Sequence, residues 1–261
     1  MGSVLPKISV ITVVRNRADT IEDTILSVAT QRYPHVEHII IDGASTDGTL
    51  EIITRYRAKI AGLITERDRG IYDAMNKGIV RATGDIIGFL NADDVYADNR
   101  VLEQVAAIFE KSDVDGCYAD LVYVDRNNSG RVIRYWKSCP YADGLFARGW
   151  MPPHPTFFVR RDVYREQGRF DLSYRKQADF ELAMRLFLKG GIRTVYIPQV
   201  LVRMRSGGAS SGFMHILQGN VEAYRACQKY GLRVTPLFVV RKILSRLPQF
   251  IHRPQKVPGS S

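Results

Sequence analysis

The side chains best suited to chemistry stand where short apolar runs stop. After KISVITVV (7–14) come Arg15 and Asn16, and HIIID (38–42) ends in Asp42. AGLIT (61–65) is followed by Glu66, Arg67 and Asp68, while DIIGFL (85–90) runs into Asn91-Ala92-Asp93-Asp94. Turn and cap propensity explains any one of these clusters, but not their recurrence after four successive runs. Acids and amides drawn to one border repel unless a cation or hydrogen-bond donors join them. A divalent cation shared with a phosphorylated, polyhydroxylated ligand meets that need, and carboxylate oxygens suit Mg2+ or Mn2+ rather than zinc. A second set lies further on: His154 in PPHPTFF, then Asp179 and Glu181 at the head of an apolar stretch. The plainer readings are an N-cap for Asp179, a backbone-bonded loop residue for His154, and a solvent-pointing side chain for Glu181.

The elements that must position these residues can be read from periodicity. The four runs lack polar alternation, as strands buried on both faces do. Between them, Asp19 precedes a stripe of Ile21, Ile25 and Val28. Thr46 or Asp47 can cap a helix through Leu50 and Ile53, and Ile71, Met75 and Ile79 form a third stripe. The order β-α-β-α-β-α-β predicts an α/β fold with a mostly parallel, doubly wound sheet and helices on both faces. The carboxyl ends of parallel strands share one edge, where such sheets bind ligands. Beyond residue 110 the pattern predicts strands at 117–124 and 132–136 joined by a turn at 125–131, and a further strand at 156–159. A helix at 179–188, a strand at 194–198, a flexible Gly-Ser loop at 207–212 and helices at 215–230 and 236–247 follow. These signals divide the chain into 1–115, 116–212 and a basic segment, 213–261.

The 261 residues are 45% hydrophobic and 25% charged, which suits a sizeable folded core and excludes a disordered chain. The start, MGSVLPK, predicts no secretory leader, and no run is long enough to span a bilayer. Cys117, Cys139 and Cys227 are too scattered for a disulfide framework or a metal cluster and fit a reducing, cytoplasmic setting. The net charge of +10 is concentrated at the end: residues 201–261 hold ten Lys and Arg against a single acid, Glu222. Such a tail is expected to face something anionic. Leu237, Phe238, Val239, Ile243, Leu244 and Leu247 against Arg241, Lys242 and Arg246 suit an anionic membrane surface met through 233–256, on the cytoplasmic face of an inner membrane. Packing against the body and a homodimer contact are the ordinary alternatives. Few aromatics interleave the tail's charges and no recognition motif is visible, which disfavours a nucleic-acid-binding module. GxGxxG, GxxxxGK[ST], Gly-x-Ser-x-Gly and HExxH are all absent. A nucleotidyltransferase shares this sheet but usually has a Gly-rich loop after the first strand, and VRNRAD has no glycine.

ISVITVVRN (8–16), IIIDGASTDGT (39–49), ERDRGIYDAMNKGI (66–79) and TGDIIGFLNADD (83–94), in this order and spacing, resemble the family 2 glycosyltransferases of the GT-A fold. The likeness runs over roughly residues 7–210 and is nearest to bacterial enzymes that build surface polysaccharides. It implies a Rossmann-like nucleotide-sugar-binding half, a small acceptor-side region and inverting transfer from a UDP- or GDP-sugar to a glycan or lipid-linked hydroxyl. On the matching positions, Asp42 and Asp68 would contact the nucleotide, with Asn16 at the end of the first strand. Asn91-Ala92-Asp93 would be the DxD-type motif, with Asp93 holding Mg2+ or Mn2+. Asp179 would be the base, with Glu181 two residues later as the rival candidate, and His154 and the Gly207–Ser210 loop would line the acceptor side. Two positions depart from the pattern: Arg15-Asn16 stands where TyrAsn is usual, and Asn91 replaces the motif's first acid. Arg203 and Arg205 either neutralise the diphosphate when the loop closes or are general surface charge.

Overall fold

The computed structural model describes residues 5–126, 128–207, 213–235, 238–239 and 248–251. The first part follows the predicted alternation: β1 (Ile8–Val14), α1 (Ile21–Ala29), β2 (Val36–Asp42), α2 (Thr49–Arg55), β3 (Gly62–Thr65), α3 (Ile71–Arg81) and β4 (Ile86–Phe89). Every residue of β1 is buried, as a strand covered on both faces requires. Its side chains alternate: Ile11 and Val13 join a core with α3, while Ile8 and Val10 join a second core across the sheet. Gly78 lets α3 approach closely, since a Cβ there would stand 2.4 Å from Ile11 Cγ2.

The rest of the chain adds β5 (Asp94–Tyr96), α4 (Val101–Lys111), β6 (Gly116–Val124), β7 (Val132–Trp136), β8 (Phe158–Arg160) and α5 (Arg161–Gln167). It closes with α6 (Ala178–Met184), β9 (Thr194–Arg205), α7 (Phe213–Lys229) and α8 (Pro248–Ile251). The strands form one sheet in the order β3-β2-β1-β4-β8-β6-β9-β5, with β7 paired to β6. β3, β2, β1 and β4 are mutually parallel, as are β6 and β9; β8, β7 and β5 pair antiparallel to their neighbours.

Several local expectations need correction. Asp19 is not a helix cap; it pairs with Arg126, and Thr20 precedes α1. Gly48, at φ 94°, occupies the N-cap of α2, and the Asp47 carboxylate accepts from the Thr49 amide instead. The strand expected to stop at Pro198 continues to Arg205. Ala119 pairs Ile197 and Asp120 pairs Val200, so a bulge carries the proline out of the ladder that its missing N–H cannot join. The 156–159 strand is shorter, because His154–Thr156 forms a 3-10 turn. β5, α4 and α5 were not anticipated, although Val101, Leu102, Val105, Ala106 and Phe109 bury a regular helical stripe. The loop at 208–212 and residues 240–247 of the last predicted helix lie outside the described residues. Phe238, expected on a membrane-facing stripe, is buried in the core cluster that also holds Phe180 and Phe187.

Candidate functional site at the sheet's carboxyl edge

The four parallel strands end side by side, with Val14 opposite Asp42 and Asp42 opposite Thr65. Their sequels are tied to one another by hydrogen bonds. Asn16, at φ 53°, accepts from the Thr46 amide through Oδ1 (2.8 Å), and its own amide donates to Ser45 Oγ (2.8 Å). Ala44 also sits in the left-handed region at φ 57°. Two such non-glycine residues in one loop pair mark backbone held against its preference, which surrounding bonds must maintain. Asp42 is fully buried and receives the Ser45 hydroxyl at 2.5 Å. The Asp68 carboxylate packs against the Gly43 backbone, where a Cβ would fall 2.3 Å from Oδ2; its Oδ1 accepts from the Gly70 amide at 2.9 Å. The two acids expected to act together therefore share one corner.

The ERDRGIYDAMNKGI motif is explained residue by residue. Lys77 pairs Glu66 (2.8 Å) and donates to the Arg67 carbonyl (2.9 Å), fixing the approach to Asp68. Asn76 exchanges two 2.9 Å bonds with the Phe170 backbone, one from each end of its amide. The Tyr72 hydroxyl lies 3.0 Å from Asp179 Oδ1 and 3.1 Å from the Lys176 carbonyl, so one helix joins the Asp68 corner to Asp179. Burial, then the Asp179 charge, raises the Tyr72 pKa well above its ordinary value, so the hydroxyl keeps its proton.

Asp93 is 3.9 Å from Arg17 Nε, immediately after Asn16. Ala92 turns its methyl into the core, so any ligand contact it makes is through backbone. Asn91, which stands where the motif's first acid is usual, directs Nδ2 to Asp94 at 3.2 Å. Burial, reinforced by the Asp93 charge, pushes the Asp94 carboxyl well above the carboxylate range. β5, starting at Asp94, pairs with β9 and brings Arg203 and Arg205 alongside. Neither arginine is general surface charge: Arg203 is buried and donates to the Ser129 carbonyl, and Arg205 pairs Asp23.

Among the described residues no group of three or more His, Cys, Asp or Glu side chains can hold a metal unaided. The oxygen donors at this corner nevertheless suit a hard cation. Asp93 stays partly exposed, and the buried Oδ1 of Asn91 finds no hydrogen-bond partner among the described residues. A cation here would need most of its oxygens from a ligand.

Asp179 is the second residue of α6, not its cap, and Oδ1 accepts from the Phe180 amide (2.9 Å) as well as from Tyr72. His154 stacks on Phe89, at the end of β4, with ring centroids 5.2 Å apart. Burial lowers its pKa, the Asp179 charge opposing, and Nε2 meets no partner among the described residues. Phe170 packs edge-on against both rings of that pair and stacks on Tyr72, forming an aromatic wall from β4 to α3. Glu181 does not point to solvent. It is fully buried and receives Arg185 (2.9 Å), Lys229 (3.0 Å) and the Tyr230 hydroxyl (2.5 Å), which removes it as a rival base.

Sequence reasoning passed over Tyr72, Asn76 and Glu222. Tyr72 and Asn76 sit within a quoted motif but off the apolar stripe of their helix. The signal for Glu222 was its isolation among basic residues. Its carboxylate accepts from three successive amides, Arg175 (3.0 Å), Lys176 (2.7 Å) and Gln177 (3.0 Å).

Sheet order, edge and helices define an α/β protein of the GT-A-like class. Two solved structures share that fold: S. aureus TarS 1-349 in complex with UDP-GlcNAc (TM-score 0.65, 17% identity, 94% of this chain and 80% of that one), and the mannosyltransferase PcManGT from Pyrobaculum calidifontis in complex with GDP-Man and Mn2+ (TM-score 0.65, 20% identity, 94% and 75%). The family model described as Glycosyl transferase family 2 matches residues 9–168, and the chain belongs to that family. A PGL/p-HBAD biosynthesis glycosyltransferase of Mycobacterium bovis is 30% identical over 246 residues, 92% of this chain and 93% of the relative. The protein is a glycosyltransferase, with relatives in glycolipid and polysaccharide biosynthesis.

Proposed function

We propose that the protein transfers a sugar, with inversion, from a nucleoside-diphosphate sugar to a hydroxyl of a glycan or lipid-linked acceptor in cell-surface polysaccharide or glycolipid assembly. The observation that carries this reading is the physical link from the Asp42–Asp68 corner through Tyr72 to Asp179. Through α3 it ties Asp179, whose Oδ1 takes the Tyr72 and Phe180 bonds, to the loop that carries Asp68. Asp42, Asp68 and Asn16 hold the nucleotide; Asn91-Ala92-Asp93 forms the DxD-type corner, with Asp93 as the residue that would hold Mg2+ or Mn2+. When bound, the cation supplies Lewis-acid stabilisation of the charge that grows on the departing diphosphate. Asp179 Oδ2 takes the acceptor hydroxyl's proton as the new C–O bond forms and the sugar–phosphate bond breaks on the opposite face. A positioned base of this kind contributes about 10²–10⁴-fold in rate. His154 and Phe89 line the acceptor side.

The relatives' complexes support a nucleotide-sugar donor: TarS was solved with UDP-GlcNAc and PcManGT with GDP-Man and Mn2+. Among the described residues no helix is long and apolar enough to cross a membrane. The basic residues from Arg233 to Lys256 are the proposed contact with an anionic membrane surface, beyond the buried Phe238. A thermal-shift panel of nucleoside diphosphates and nucleotide sugars, with and without Mn2+, tests the donor. A Mn2+-dependent rise in melting temperature with UDP- or GDP-compounds is expected. No shift with any of them removes the proposal.

A further inference from the structure

We infer that Glu222 of α7 is a positioning residue for transfer, holding the segment that carries Asp179 in register with the donor edge. The inference rests on the reading of Asp179 as the base. Residues 175–177 lead directly into α6, and their three amides converge on the Glu222 carboxylate at 2.7–3.0 Å. Successive backbone N–H groups pointed at one anion form a concave cradle, and charge-assisted bonds of this kind are about twice as strong as neutral ones. From the other side, the Tyr72 hydroxyl lies within reach of both the Lys176 carbonyl and Asp179 Oδ1. The five residues 175–179 are thus gripped by α7 through their amides and by α3 through a carbonyl and the carboxylate itself.

The geometry separates positioning from simple packing. α7 is joined to α6 a second time, where Lys229 and Tyr230 meet Glu181, and Ala223, Ala226 and Cys227 bury themselves in the same core. Those contacts secure the helix pair without Glu222. The Glu222 bonds fix something else: the path of the backbone one residue before the helix starts, which sets where Asp179 Oδ2 stands relative to an acceptor hydroxyl. Misplacing a catalytic group by about 1 Å can cost roughly 10²-fold. Glu222 is also the lone acid among residues 201–261, so no neighbouring carboxylate on that segment can substitute for it.

The test uses the full chain carrying Glu222→Gln, which keeps the size but turns an NH2 group toward amides that need an acceptor. The expected result is a 10- to 100-fold fall in kcat, donor KM and calorimetric donor affinity within twofold of wild type, and faster hydrogen exchange in the peptide spanning 175–180. In an Asp179→Asn background the same change should slow residual transfer by less than twofold, because a displaced base that is already absent has nothing further to lose. A single variant with kcat within twofold of wild type overturns the inference, as does a full 10-fold or greater loss in the Asp179→Asn background. Asp179→Asn alone reports on the base: wild-type rate there removes the base reading, whatever Glu222→Gln does. If Glu222→Gln does not yield folded protein, Glu222→Asp, which keeps the charge but shortens the reach, carries the same expectations.

Discussion

Gly43→Ala isolates the donor corner without deleting any polar group. The new methyl would lie 2.3 Å from Asp68 Oδ2 and 3.4 Å from Arg15 Cβ, so the carboxylate must swing away. It can, because the clash is with the far end of a flexible side chain and Gly43 does not need a positive φ. Its amide bond to the Val14 carbonyl (2.8 Å) is untouched, and so is the buried Asp42–Ser45 pair. The folding penalty should therefore stay below about 1 kcal/mol, within the range of mild substitutions. What is lost is the hydrogen bond from ligand to Asp68; bonds to charged groups are worth about 1.5–3 kcal/mol. That predicts a fall in donor affinity of about 10- to 150-fold. Isothermal titration of UDP and GDP in the presence of Mn2+, beside a thermal melt, reads both quantities, with Asp68→Ala as the upper limit. Undiminished nucleotide affinity in the alanine variant would refute the assignment of Asp68 to the donor.

Asp179→Asn should lower transfer by about 10²–10⁴-fold in a radiolabelled-sugar assay while nucleotide titrations remain nearly unchanged. Asp93→Ala should weaken nucleotide binding in Mn2+ but not in chelator; equal loss in both would detach Asp93 from the cation. Burial alone depresses the His38 pKa from 6.5 to about 4. The unfolded chain binds that proton first, so stability should fall as pH drops, by roughly 2 kcal/mol between pH 7 and 5. Urea unfolding of His38→Gln should show a flatter profile over that interval. Phe238→Ala should cost about 3–5 kcal/mol by leaving a hole in the core, whereas reversing the charges of Arg241, Lys242 and Arg246 should leave the melt alone. That triple reversal should reduce co-sedimentation with anionic vesicles, at about 1 kcal/mol per residue; an unaltered distribution would remove the membrane contact.

The parts of the fold legible in the sequence are those set by local periodicity. β1, β2, β3 and β4 declare themselves because a strand covered on both faces has no polar alternation to confuse the reading. β5 escaped because three residues cannot show a period, and its existence depends on β9, more than a hundred positions later. α4 carries a clear stripe of Val101, Leu102, Val105, Ala106 and Phe109, but it follows directly on the polar run 91–100 and has no side-chain cap to announce it. Glu181 was misjudged for a different reason: nothing near it in sequence reveals that Lys229 and Tyr230 will return to meet it. The same distance hid Tyr72 and Glu222, whose partners lie on α6 and on the segment leading into it. The motif acids were visible as a set because strand ends gather them by topology, while the bonds that orient them are long-range and only coordinates display them.

The brace on α6 also bears on how the protein comes into being. Strands β1 to β4 and their helices are joined by short connections and can associate as they leave the ribosome. Helix α6 cannot settle then, for Glu222, Tyr230 and Phe238 have yet to be synthesised. At about 5–20 residues per second, the roughly 60 residues from Asp179 to Phe238 add some seconds to that wait. A nascent chain would thus assemble β1 to β4 first and settle α6, with Asp179, only once α7 and Phe238 have followed.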